Sequence, residues 1–377
     1  MSTTSETKIT SELPDGWQQA KKYASVLGLV PSSFSIAIRT MISDHLKNDA
    51  SLRPVTKYHV CRLMNGPSFK SMLYFASMDL RSGYLKDQKA INVGSMVDLF
   101  EPFDLAVMVG SYLIFRKWRK FIGKEEWNWL VSQFTEESQI GAQLGAAIPE
   151  LGIGAGIMIS TMPGLALGTV LKHDQKMVQK YMHTRAKTGW SEKTQLECFG
   201  CTLNQITTHI LCSMGFSTEI VNSYTSAMDP SRFFNAEDKG LLPRMQMARY
   251  WVEALLAGKT QPLHKIPGKF FPMETAKKLL ETKIVDIKAN SPHWLTRGKA
   301  DIDPTKTPAL FAKAESTNQE VPDELKQVFS MDEIAKMELE DFDQLIDQLD
   351  YENGGKPPPG MVVMSTKELK DLEGMVE

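Results

Sequence analysis

The stretch LKHDQK, residues 171–176, sets His173 beside Asp174. Neutral imidazole and carboxylate both bind divalent cations, and a bound cation turns water into a nucleophile near neutral pH. Adjacent residues on a helix point about 100° apart, so this pair cannot chelate an ion alone. His183 and His209 are the further histidines that a hydrolytic centre here would recruit. A second constellation is Cys198-x2-Cys201-x7-His209-x2-Cys212, four zinc-type ligands in a short window. If that window is helical throughout, its ends lie about 21 Å apart at 1.5 Å per residue. Tetrahedral zinc holds its donors within about 2.3 Å, so only a turn at Phe199-Gly200 would assemble them. The cysteines are expected instead as small side chains packing a core helix.

A third candidate is FRKWRKFIGK (115–124), where Arg116, Lys117, Arg119 and Lys120 interleave with aromatics. Such a segment suits nucleic acid through phosphate contacts and stacking. It equally suits a plain helix end, with cations at the C-terminus, Gly123 as cap, and Trp118 and Phe121 inward.

The elements that must position these residues are helical. Patterns of helix length recur at 17–27, 33–46, 55–64, 69–80, 104–121, 125–148, 174–186, 202–215, 217–227, 242–257 and 273–288. Within 202–215, Leu203, Ile206, Ile210, Leu211 and Met214 keep the spacing of one apolar face. No run alternates as a half-buried strand does. LGIGAGIMISTMPGLALGTVL (151–171) carries no formal charge, but its glycines and Pro163-Gly164 argue against a membrane span. Two buried helices meeting at a Pro-Gly corner are expected there.

The chain has 377 residues, 42% hydrophobic and 23% charged, which is ordinary globular composition. Four cysteines and no signal-peptide pattern point to a reducing, cytoplasmic setting without disulfides or membrane attachment. The net charge of −2 conceals a split: residues 301–377 hold 19 acids and 7 bases, leaving the rest at +10. An acidic tail of that kind is expected either to lie on the basic body or simply to solubilise it. Residues 1–13 are expected to be disordered, 14–290 to form the body, and 291–329 to be a polar, proline-punctuated linker. In 330–377, the spacing of Ser330 and Glu333 offers a capping-box signal, and Leu339, Phe342, Leu345, Ile346 and Leu349 are spaced to share one face of an expected helix, opposite a row of acids. Such a helix docks in a groove on a partner protein or on its own body. GGKPPPG (354–360) then acts as a spacer.

Four blocks, LVPSSFSIAIRTMISD, MLYFASMDL, KAINVGSMVDLFEPFDLAVMVG and ECFGCTLNQITTHILCSMGFSTEIVNSY, follow one another over roughly residues 25–260. In type, order and spacing they resemble the HDOD family, the HD-related output domain of bacterial signalling proteins. That family comprises catalytically degenerate relatives of HD metal-dependent phosphohydrolases. Ala76 matches the family's Ala-Asn-Ser run, with Ser77 for the asparagine, and Glu101 stands where a glycine is usual. Glu197, Phe199, Gly200, Leu211, Phe216 and Ile220 carry the last block.

Helical periodicity and the resemblance together lead to the expectation of an all-α, multi-helix HD/HDOD-like orthogonal bundle, and the composition beyond 290 adds an acidic, partly irregular C-terminal extension. The resemblance also places the HD dyad at Ile159 and Ser160, a later histidine near Leu203, and a closing histidine pair near Ser226 to Met228. None of these is a metal ligand. A pocket around Ile159, Ser160, Leu203 and Glu197 would then bind a small ligand or be filled. The expected function is a non-catalytic regulatory module with a protein partner, no metal and no cofactor. A divergent metal-dependent phosphohydrolase using His173, Asp174, His183 and His209, and a nucleic-acid-binding regulator, are the alternatives.

Overall fold

A computed structural model describes residues 15–48, 51–85, 91–189, 191–229, 231, 240–288 and 293–303. The expected disordered 1–13 and acidic tail 330–377 therefore lie outside the described residues. Within them the chain forms fourteen α-helices, with short 3-10 turns and no strand, an all-α multi-helix bundle. The first half holds α1 (Asp15–Ala24), α2 (Ser32–Asn48), α3 (Pro54–Met64), α4 (Pro67–Leu80), α5 (Val93–Val97), α6 (Pro102–Phe121) and α7 (Lys124–Ala147). The second holds α8 (Ile153–His173), α9 (Gln175–Thr188), α10 (Glu192–Phe199), α11 (Leu203–Ser213), α12 (Thr218–Met228), α13 (Leu241–Leu256) and α14 (Glu274–Lys288).

Helix starts follow local chemistry. Proline opens α3, α4 and α6, where the missing N–H is not needed. Thr202 and Gln205 form a reciprocal capping box at α11, with Gln205 N–H donating to Thr202 Oγ1 at 3.2 Å and Thr202 N–H to Gln205 Oε1 at 2.8 Å. Glu101 takes the N-cap of α6 at φ −65°, a conformation that makes no demand for glycine.

The centre of the bundle is α8, buried at every residue from Ile153 to Leu171 and packed by α6, α7, α11 and α13. This corrects the expected Pro-Gly corner: one α-helix runs through Pro163. An interior proline costs about 3 kcal/mol, but helices packed around α8 outweigh it. The glycines are there for neighbours rather than for a turn. A Cβ on Gly168 would collide with the Trp118 ring, and one on Gly164 would crowd Phe134 at 3.0 Å. By length and composition α8 would suffice to cross a bilayer. From Ile153 to Leu171 its surface is spent on the rest of the body, so none of that stretch is left for lipid.

The segment expected as a linker opens, in its described part, on buried side chains. His293, Trp294 and Leu295 sit in the core, and Trp294 is 1% exposed. The packed body therefore continues past 290.

Candidate functional site

On α8, the two positions to which the sequence resemblance assigns an HD dyad are filled. Ile159 is buried, and the Ser160 hydroxyl donates to Gly156 O one turn back at 2.8 Å. Gly141 of α7 lies directly against Ser160, and a Cβ on Gly156 would strike the Gly141 carbonyl oxygen. Backbone meets backbone here, leaving no space for an ion or a water between the helices.

Leu203 opens α11 and is buried. Its N–H donates to Gln195 Oε1 at 2.7 Å, and Gln195 Nε2 donates to Tyr181 Oη at 3.4 Å. Glu197, expected in the same pocket, points instead to solvent, with its side chain 64% exposed and Lys193 at 3.9 Å. Residues two apart on a helix diverge by about 200°, so α10 turns Gln195 in and Glu197 out. The sequence pattern does not register α10 as a helix, and that is why Gln195 is missed. Nearby, Arg185 of α9 donates to the buried Glu137 of α7 at 2.5 Å. Burial pushes the Glu137 carboxyl up from its usual range, and Arg185 pulls it part of the way back. The signal for Glu137 is legible: it interrupts the apolar stripe of Phe134, Gly141 and Leu144 with a charge.

The possible metal ligands do not converge. His173 ends α8 on the surface, its ring edge-on to Tyr23 at 5.2 Å. Asp174 is the N-cap of α9 and accepts from Met177 N–H at 2.9 Å. His183 is exposed on α9, whereas His209 meets Trp17, with its Nε2 3.2 Å from Trp17 O. The chain does turn at Gly200, left-handed at φ 70°, but Cys198 and Cys201 sit in the core and Cys212 faces solvent. Burial pushes the Cys201 thiol up to about 12, far from the thiolate that zinc requires. Among the described residues no three His, Cys, Asp or Glu side chains form a group able to hold a metal. His173 does line an open cleft of about 360 Å³, together with Ile122, Gly123, Glu126, Lys172 and Gln175.

Two other buried polar groups brace α8. Asp104 of α6 accepts from Gly154 N–H at 2.6 Å, placing a carboxyl at the helix's first turn. Burial raises Asp104 to about 7 even though that hydrogen bond opposes the change. At mid-helix, Leu295 N–H donates to His293 Nδ1 at 2.8 Å, so the ring proton sits on Nε2 and donates to Ser138 Oγ at 2.9 Å. The Ser138 hydroxyl proton is then directed to Thr161 Oγ1 at 2.7 Å. A histidine that donates to a serine cannot take its proton, so this Ser-His pair is a structural link and not an activated nucleophile. Burial holds His293 neutral, down at about 3.

In the basic segment, Lys117 is a correction. It is buried, and its ammonium donates to the carbonyls of Leu27, at 2.7 Å, and Leu29. Three donors and no acceptor suit it to closing the loop before α2. Arg116 is half-buried, with its guanidinium 6.0 and 5.9 Å from the ring centres of Phe69 and Tyr112. Trp118 is buried, as expected, and Arg119 is exposed. The side chains of Lys120 and Phe121 lie outside the described residues. α6 closes on Ile122, while Gly123 serves as the N-cap of α7 and not as the expected cap of α6.

No family model, curated protein or solved structure matches the chain.

Proposed function

We propose that the chain is a non-catalytic regulatory module, of the HDOD type its sequence blocks resemble, acting by binding a protein partner. The observation that carries this is the filling of the inner face of α8. Ile159 and Ser160 stand at the positions the HDOD resemblance assigns to ligands; both are buried, and Gly141 is pressed against Ser160. A centre that brings water to a metal needs open coordination positions beside its donors. This face offers neither donors nor room. The HDOD resemblance adds the expectation of a role in assembling or relaying signals, with input and output on other chains.

Elemental analysis and a phosphodiester hydrolysis assay on the purified full-length protein test the proposal together. The expected result is less than about a tenth of an equivalent of iron, manganese or zinc, and no turnover. Stoichiometric metal that is lost on His173→Ala, together with hydrolysis, would overturn it in favour of a divergent phosphohydrolase.

A further inference from the structure

The surface around α14 differs from the rest of the body. Among the described residues ten large apolar side chains stand well exposed, and four of them, Leu263, Met273, Leu279 and Val285, fall close together in sequence. The same stretch, 259–288, carries seven lysines against three acids. On α14 the buried Leu280 and Ile287 define the inward side. At about 100° per residue the outer side centres on Thr282, with Leu279 and Val285 flanking it by about 60° each way. Lys278 and Asp286 lie on that outer side, about 40° either way from Thr282, and both are exposed, so the excess of lysine comes from the segment as a whole. Apolar groups that face away from the core within a segment of net positive charge mark a docking surface.

The occupant is named by the chain itself. The described body ends at residue 303, close to this surface: Arg297, whose Nη1 lies 3.8 Å from Asp79 Oδ1, and Lys283 of α14 both act on the half-buried Asp79 carboxyl. Beyond it, residues 332–350 carry eight acids and one base, and their Leu339, Phe342, Leu345, Ile346 and Leu349 share one helical stripe. We propose that this acidic amphipathic segment docks on the α14 surface of its own chain. Its leucines and phenylalanine cover Leu279 and Val285, and its carboxylates face the lysines. At random-coil dimensions a tether of about 30 residues reaches about 30 Å, more than the roughly 22 Å length of α14. Tethering supplies an effective concentration on the order of millimolar, so a contact too weak to hold a separate peptide still closes in cis. The proposal stands whether or not the body is catalytic.

Hydrogen–deuterium exchange on the full-length protein is the test, comparing wild type with Leu345→Asp/Ile346→Asp and, separately, with Leu279→Ser/Val285→Ser. Amides of 274–288 are expected to exchange at least about fivefold faster in the tail variant, and likewise in wild type at about 1 M salt, where screening is strong. The surface variant should lose the same protection, which frees the result from any misfolding of the tail variant. Unchanged exchange at 274–288 in both variants overturns the proposal. So does protection that grows with protein concentration alongside a dimer mass in light scattering, which would assign the surface to a second copy. Loss of protection at 116–122 instead would place the tail elsewhere and overturn it equally.

Discussion

α8 and α14 both pack on α7, and they do so in opposite ways. α8 meets it through Gly141, Gly145 and Gly156 with backbones in contact, and is covered on every other side as well. α14 commits only Leu280 and Ile287 to burial and leaves Leu279 and Val285 in water. A helix that is apolar all round has its surface consumed by the fold, whereas one with apolar groups on its outer side has surface to spare. The difference separates what holds this molecule together from what is free to bind.

The comparison breaks most sharply at the glycines. In a helix interior, glycine to alanine normally gains up to about 1 kcal/mol. Gly156→Ala should reverse that sign, because its Cβ meets the Gly141 carbonyl, which as main chain has no rotamer to move. The expected loss is about 3 kcal/mol or more, read as a lower denaturant midpoint at unchanged slope. Gly83→Ala, with nothing within 4 Å of the new carbon, is the control and should stay near neutral.

Next in size is His293→Ala. It removes the acceptor for Leu295 N–H and the donor to Ser138 in a site sealed from water. A buried cavity and an orphaned amide together are worth about 2 to 4 kcal/mol. The depressed imidazole also sets a pH dependence. The neutral ring is favoured by folding, so its contribution is present above about 6.5 and is lost as pH falls towards 3. His293→Ala should accordingly flatten the acid side of the stability profile.

Asp104 titrates with the opposite sign. Its folded value of about 7 lies above the ordinary 3.8, so its contribution is full below about 4 and is lost as pH rises through 7. Asp104→Asn keeps an oxygen to accept Gly154 N–H but cannot ionise. Between about pH 5 and pH 8 the wild type should lose about 2 kcal/mol relative to the variant, since each tenfold difference in proton affinity between the folded and unfolded chain is worth about 1.4 kcal/mol. Urea midpoints of both proteins at about pH 5, 6.5 and 8 measure it. Parallel curves would remove Asp104 from the account of how α8 is anchored.

The fold class and most helix boundaries are legible in the sequence because apolar spacing repeats with the helical period, as at Leu203, Ile206 and Ile210. The continuity of α8 is not, since glycine and proline mark breaks locally and only Trp118, Phe134 and Gly141 reveal that they are contact points. Those partners lie far from α8's glycines in sequence, beyond any local pattern. The inner positions Ile159, Ser160 and Leu203 are located by resemblance and are buried, but Glu197 faces the wrong way for the expected pocket. Its misplacement traces to α10, an eight-residue helix too short for its period to stand out. Lys117 misleads for a related reason: a charge in a basic run looks solvated until the carbonyls of Leu27 and Leu29 are seen to face it.

The smallest effect is also the most discriminating. Leu279→Ser with Val285→Ser alters side chains that are 61% and 68% exposed, so the helical body should lose no more than about 0.5 kcal/mol. If α14 were merely a surface helix, nothing else would change. If its outer side holds the acidic segment, the full-length protein should gain a salt-insensitive, faster-exchanging 274–288 while its unfolding midpoint falls by no more than the roughly 1 kcal/mol that fivefold protection represents. The two readouts separate a helix that stabilises from a helix that binds, since Gly156→Ala moves the midpoint by about 3 kcal/mol or more and these substitutions act chiefly on the exchange. A loss of about 2 kcal/mol or more at Leu279 and Val285 would mean that they pack into the fold after all. The contrast between the two helices would then collapse into a difference of degree.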